Sequence, residues 1–274
     1  MKMMKIQLLV LGVSVSALVG CQTTANPDVP QKDGTPKVVN TSTNTVRAVT
    51  LKVSEKLRSI RVLTTVSGAD DAGKIAASSV ESALDDELAQ NGFTVVADQK
   101  DADVIVQGRV AYSDKTQRGD RMVVRGTASV SMFRKPLKSS VASNAKIGGI
   151  ISNGAFEARS EESYSAEEAL KKLGVALCPD VRKWAKQACV KVAGDIGVCE
   201  IALTGLRSPN TVSEGYPTRF ATQVNRLNGI YECRVESSEK TPDRMTALVV
   251  YEKRLFPDGV LSRLREQKIV KDGQ

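Results

Sequence analysis

The chain of 274 residues contains no histidine. That absence removes Ser-His-Asp and Cys-His catalysis, histidine metal sites and the usual proton shuttle near neutral pH. Aromatic residues make up only 4% of the sequence, with a single tryptophan, Trp184, so no stacking platform for bases or sugars stands out. Cysteine is scarce as well, and no C-x₂-C pair occurs. The spacings from Cys178 to Cys189, Cys199 and Cys233 are eleven, ten and thirty-four residues. A four-cysteine zinc site needs paired short spacings, so no metal and no other cofactor is expected. The chain also lacks a K-T-G triplet and any Walker or dinucleotide glycine pattern. Those gaps leave the S-x-x-K matches at Ser143 to Lys146 and Ser237 to Lys240, and the glycine run at Gly148-Gly149, without their usual context.

What is present begins at the N-terminus. Lys2 and Lys5 precede an apolar stretch, Ile6 to Val19, long enough to enter a translocon and too short to span a bilayer. It closes on Leu18-Val19-Gly20-Cys21, where small Gly20 admits a peptidase before Cys21. These residues resemble the lipobox of bacterial lipoproteins. The resemblance implies a signal peptide over residues 1–20, cleavage between Gly20 and Cys21, diacylglycerol on the Cys21 sulfur and a further acyl chain, such as palmitate, on its freed amine. Two or more chains give stable anchoring, at ~0.8 kcal/mol per buried CH₂. Gln22 follows the cysteine where lipoproteins kept in the inner membrane commonly carry Asp, which points to the outer membrane and a periplasm-facing body.

The formal charge is +8 and the isoelectric point 9.2. In a cytosolic protein this balance invites a nucleic-acid reading, which the export signal argues against. In the periplasm it suits an acidic protein partner, anionic headgroups or cell-wall polymer. Lys171, Lys172, Arg182, Lys183 and Lys186 form a candidate basic patch for such a partner. In an oxidising compartment an even set of cysteines suggests two disulfides among Cys178, Cys189, Cys199 and Cys233. A Cys178 to Cys189 bridge is disfavoured, because eleven helical residues separate the two by ~16 Å.

Residues 21–45 are rich in Thr, Pro, Asn, Lys and Val without a period and read as a lipidated tether with a root-mean-square span of ~28 Å and a limit of ~85 Å. Beyond it the pattern is globular. Ile60 to Val66 is a β-branched strand, and Asp70-Asp71 caps a helix whose apolar stripe is Ala72, Ala76, Val80, Leu84 and Leu88. Asn91-Gly92 stops that helix, and Phe93 to Ala97 follows as a strand. Asp103 to Ser113 and Met122 to Phe133 alternate as strands, and Leu137 to Ala145 is the expected hairpin partner of the second. Ser165 to Glu168 forms a capping box for a helix that Cys178-Pro179 is expected to divide. From residue 197 the order is strand, helix, strand, strand, helix.

Two domains are expected, a mixed-sheet α/β domain over 46–196 and a small ferredoxin-like βαββα domain over 197–274, so the class is α+β. The strand-helix-strand order, "ADVIVQGRV" at Ala102 to Val110 and the S-x-E-E-A-L helix at Ser165 resemble the anticodon-binding-domain-like periplasmic fold. That fold occurs in outer-membrane lipoproteins of the peptidoglycan-synthase-activator type and in the curli channel subunit. The resemblance implies a non-catalytic adaptor or assembly factor for cell-wall synthesis, secretion or appendage assembly, with an envelope protein or a second copy as partner and no nucleic acid. Two alternatives stay open, a self-assembling ring or pore subunit and a serine hydrolase using Ser143 and Lys146. The consecutive acids Asp85, Asp86 and Glu87 are expected to fan around their helix and not converge on a metal.

Overall fold

A computed structural model describes residues 45–135, 149–204, 216–237, 244–267 and 269. The described residues all fall within one compact unit. Among the described residues it contains two sheets and five helices, an α+β architecture.

The first sheet has the order β3-β2-β4-β5-β6. Its strands are β2 (Arg61–Gly68), β3 (Thr94–Val95), β4 (Val104–Arg118), β5 (Arg121–Arg134) and β6 (Ile150–Arg159). β2 runs parallel to β3 and β4, whereas β4, β5 and β6 form an antiparallel meander. The partner of β5 on its free side is β6. The hairpin segment expected at Leu137 to Ala145 lies outside the described residues, as do the tether, Cys21, Ser143 and Lys146. β3 keeps only two residues of the strand expected over Phe93 to Ala97.

Helix α2 (Asp71–Gln90) starts where the sequence places its cap, with Asp70 Oδ1 accepting from the Gly73 amide at 2.7 Å. The expected stripe is its buried face: Ala76, Val80, Leu84 and Leu88 are fully enclosed. The stop at Asn91-Gly92 requires glycine on two counts. Its φ is +106°, and a Cβ would lie 2.3 Å from the Ser54 carbonyl oxygen of the short helix α1 (Val53–Leu57).

Helix α3 (Ala166–Asp195) corrects one expectation, since it runs through Cys178-Pro179 without a break. Proline removes the hydrogen bond to the carbonyl four residues earlier, at Val175. Val175 is 64% exposed and Pro179 is exposed too, so this gap faces water and leaves no buried carbonyl without a partner. At its start, Ser165 Oγ accepts from the Glu168 amide at 3.1 Å, while the Glu168 carboxylate turns to Lys172 instead of back to the cap. α2 and α3 pack closely through small residues. A Cβ on Gly174 would come within 2.8 Å of the Ala76 carbonyl oxygen.

The second sheet has the order β1-β7-β9-β8, antiparallel throughout. It joins β1 (Thr45–Ala48) to β7 (Ile196–Thr204), β8 (Ile230–Ser237) and β9 (Arg244–Glu252). Helices α4 (Tyr216–Asn225) and α5 (Val260–Glu266) supply Phe220, Val224, Val260 and Leu264 to a core against β7 and β9. The β-α-β-β-α order read from the sequence is present, with β1 added at its edge.

Arg134, at the end of β5, reaches Asp195 at 2.6 Å and also meets Glu252, whose other contact is the Tyr231 hydroxyl at 3.0 Å. The Arg134 and Glu252 side chains are only 15% and 6% exposed. This half-buried ion cluster ties the end of the first sheet to α3 and to the second sheet.

Candidate binding face

The helices cover one side of the five-stranded sheet and leave the other in solvent. On β4 the residues Val104, Val106 and Val110 point into the core, and on β5 Val124, Ala128, Val130 and Met132 do so. Alternation then sends the intervening residues outward. The strand registers place them in rows that run across the sheet.

The first row is apolar: Leu63, Ile105, Phe133 and Ile150, the last 65% exposed. None of the four belongs to either core. The second row is Thr65, Gln107, Ser131 and Asn153, and the third is Ser67, Arg109, Ser129 and Ala155. Ala111, Thr127 and Glu157 follow, and Arg125 stands opposite Arg159 at the far end. Five rows, four strands wide in the first three and three strands wide in the last two, make a face of roughly 27 Å in length and up to about 15 Å in width. A shallow depression of about 320 Å³ opens in its middle, lined by Thr65, Ser67, Gln107, Arg109, Ser131 and Phe133.

The polarity of this face is graded. One end is apolar, the centre carries hydroxyls and amides, and the far end is charged, with Arg125 and Arg159 near Glu157 and with Asp114 opposite Arg125 in register. Ser67 donates to the Gly108 carbonyl at 3.3 Å and Ser129 to the Arg109 carbonyl at 3.5 Å, which pins both side chains to the sheet. Arg109, Arg125 and Arg159 are exposed, and none makes an ion pair among the described residues.

The residues singled out in the sequence fall elsewhere. Cys178, Cys189, Cys199 and Cys233 stand as free thiols, against the expectation of two disulfides. Geometry supplies the reason. Cys199 and Cys233 both pair with Val249 from opposite sides, so a whole strand separates them by ~10 Å. Cys178 and Cys189 lie on one unbroken helix, and Cys189 belongs to the first core while Cys199 and Cys233 belong to the second. Burial pushes the Cys189 and Cys233 thiols up to about 12 and Cys199 to about 11, and raises Cys178 too. Thiols held protonated in this way are poor nucleophiles.

The basic patch is largely neutralised by its own neighbours. Lys171 pairs with Glu167 at 2.8 Å, Lys172 with Glu168 at 3.1 Å, Arg182 with Asp86 at 3.9 Å and Lys186 with Glu87 at 3.7 Å. Lys183 is exposed. The three consecutive acids of α2 do diverge: Asp86 faces Arg182, Glu87 accepts from the Asn91 side chain at 2.7 Å, and burial raises the pKa of Asp85. Among the described residues no three Cys, Asp or Glu side chains converge on a metal site. The groove between α2 and α3, about 590 Å³, is lined by small residues, with the Cys178 thiol already donating to the Gly174 and Ser79 carbonyls.

Sequence reasoning located β2, β4 and β5 but not β6, and missed the face that the four build. The signal was there in the outward positions of β4 and β5, where Gln107, Ser129 and Ser131 alternate with valines.

No protein-family model matches this chain, and no curated protein matches it. Similarities to solved structures are low. A Caulobacter crescentus protein assigned as a lipoprotein is 16% identical, covering 52% of this chain and 96% of its own, with a TM-score of 0.31. The Neisseria meningitidis lipoprotein GNA1162 is 12% identical over 46% of this chain and 99% of its own, with a TM-score of 0.30. PelC from Paraburkholderia phytofirmans, a dodecamer, is 14% identical over 51% and 98%, with a TM-score of 0.28. At these values no fold family is assigned.

Proposed function

We propose that this chain is a non-catalytic, lipid-anchored envelope protein of the outer membrane, facing the periplasm, that serves as an adaptor or assembly factor. The reading is carried by one conjunction, a lipobox at Leu18 to Cys21 and a folded body that leaves a whole sheet face uncovered. A sheet with antiparallel strands commonly leaves one face in solvent, and on a tethered body that face is free to hold a partner. The absence of histidine and the raised thiol pKa values favour binding over catalysis.

The test is cross-linking in native membranes followed by capture of the lipidated chain, with Cys21→Ala as control. The expected result is membrane association lost in the variant and an envelope component recovered only with the anchored form. Equal fractionation of both forms would sink the anchor. A second reading, a self-assembling ring subunit, draws on β6, a ten-residue edge strand with no further strand partner among the described residues. Light scattering on the lipidated protein separates the two, since a large closed oligomer favours the ring.

A further inference from the structure

The geometry points to the open face of the five-stranded sheet as a contact surface for a linear anionic glycan. This assignment rests on the envelope placement proposed above and adds the chemistry of what the face holds. Three features carry it.

The centre of the face is an uncharged polar block, with Thr65, Gln107, Ser131 and Asn153 in one row and Ser67 and Ser129 in the next. Hydroxyls and primary amides each donate and accept, which is the bonding pattern that a polyhydroxylated ligand presents in return. An acidic peptide offers few such groups and would be held more economically along the β6 edge. A bilayer surface calls for a broad apolar face, and here only the single row of Leu63, Ile105, Phe133 and Ile150 is apolar.

The charge on the face has a net positive balance. Arg109, Arg125 and Arg159 stand against Glu157 and Asp114, the latter opposite Arg125 in register on β4, and Arg125 and Arg159 are direct cross-strand neighbours. Like charges placed opposite one another disfavour the pairing unless an anion lies between them. Two guanidinium forks side by side match a carboxylate or phosphate group bidentately.

The block is also elongated and accessible. The rows extend ~27 Å from Phe133 to Arg125, a length that suits a chain of several sugar units laid along the strands. The half-buried Phe133 ring gives the non-reacting C–H face of a sugar an apolar floor at the end remote from the arginines. Those arginines are exposed and have no ion-pair partner among the described residues, so a ligand need displace no internal bridge to reach them.

The experiment is a titration of the full lipidated chain in neutral detergent micelles with oligogalacturonate, a linear carboxylated glycan. A neutral cello-oligosaccharide of similar length, polyglutamate and phosphatidylglycerol vesicles are run in parallel. Saturable binding of oligogalacturonate is expected, weakened about tenfold by Arg109→Ala or by Arg125→Ala with Arg159→Ala, as the loss of a charge-assisted bidentate contact implies. Gln107→Leu and Ser131→Val, which leave the charge unchanged, are expected to weaken it as well. Lys183→Ala on α3 is expected to leave it as it was. Equal or tighter binding of polyglutamate would transfer the face to an acidic peptide, and equal binding of the vesicles to a membrane. Either outcome overturns the glycan assignment, and so does unchanged binding in the Gln107 and Ser131 variants or no saturable binding at all. Failure here with Cys21-dependent anchoring intact sinks only the glycan. Loss of the anchoring result sinks the placement beneath it.

Discussion

The two sheets of this protein are buried in different ways. In the four-stranded sheet β7 sends Ile196 and Val198 into the first core and Cys199, Ile201 and Leu203 into the second. β9 is divided in the same manner, with Val250 on one side and Met245, Ala247 and Val249 on the other. In the five-stranded sheet β4 and β5 bury alternate residues, apart from the adjacent pair Val123 and Val124. The five-stranded sheet therefore carries a surface that its stability does not require, while β7 and β9, at the centre of the four-stranded sheet, have little to spare.

That contrast can be broken or sharpened by substitution. The largest effect is expected at the junction between the sheets, where Arg134→Ala leaves the Glu252 carboxylate, with 6% of its side chain exposed, without its cation. Removing one partner of a buried pair costs about 3–5 kcal/mol, measurable by urea unfolding. A double variant with Glu252→Gln should recover part of it. Next, Ile201→Ala in β7 opens a hole in a fully enclosed site and should cost about 2–5 kcal/mol. If it costs under about 1 kcal/mol, the second sheet is not the doubly covered element described here. Gly174→Ala drives a methyl toward the Ala76 carbonyl oxygen and should destabilise by about 1–3 kcal/mol.

A further effect is confined to acid. The Gly73 amide, followed by the Tyr112 hydroxyl, holds the Asp70 carboxyl below its ordinary value of 3.8. The folded state thus prefers the ionised form, and that contribution is complete above the unfolded pKa and lost as pH falls through the lower folded one. Asp70→Asn keeps an acceptor at the cap but removes the titration. The difference in Tm between wild type and variant should therefore shrink as pH is taken from about 5 to about 3. The smallest change is expected on the open face, where Ser129→Ala and Thr65→Val should alter stability by no more than about 0.5 kcal/mol. A larger loss at either position would mean that the face is structural.

The parts of this fold legible in the sequence were those with a local signature. The Asp70 cap, the four-residue stripe of α2, the Asn91-Gly92 stop and the β-α-β-β-α order of the last third all follow from short-range rules. Pro179 misleads because the cost of a helical proline depends on whether the freed carbonyl meets water, and the exposure of Val175 is set by tertiary packing. The cysteines mislead for a related reason. Their even number says nothing of distance, and placing Cys199 and Cys233 on either side of β9 is a matter of strand order. The rows of the open face depend on the register between β2, β4, β5 and β6, which no single strand encodes. The strands β2, β4 and β5 were legible one by one and β6 was not, and the line from Leu63 to Ile150 exists only once the four are aligned.

The position of β1 has a mechanical consequence. It is a four-residue strand at the edge of the second sheet, paired from Thr45 with Ala202 to Ala48 with Cys199, and it is the first of the described elements. Tension applied from the N-terminal side arrives first at Thr45, and β1 can peel from β7 one residue at a time without disturbing β7 and β9. Each residue released lengthens the lead by about 3.3 Å, so the strand holds roughly 13 Å of slack that is paid out under load and rewound when the load is gone.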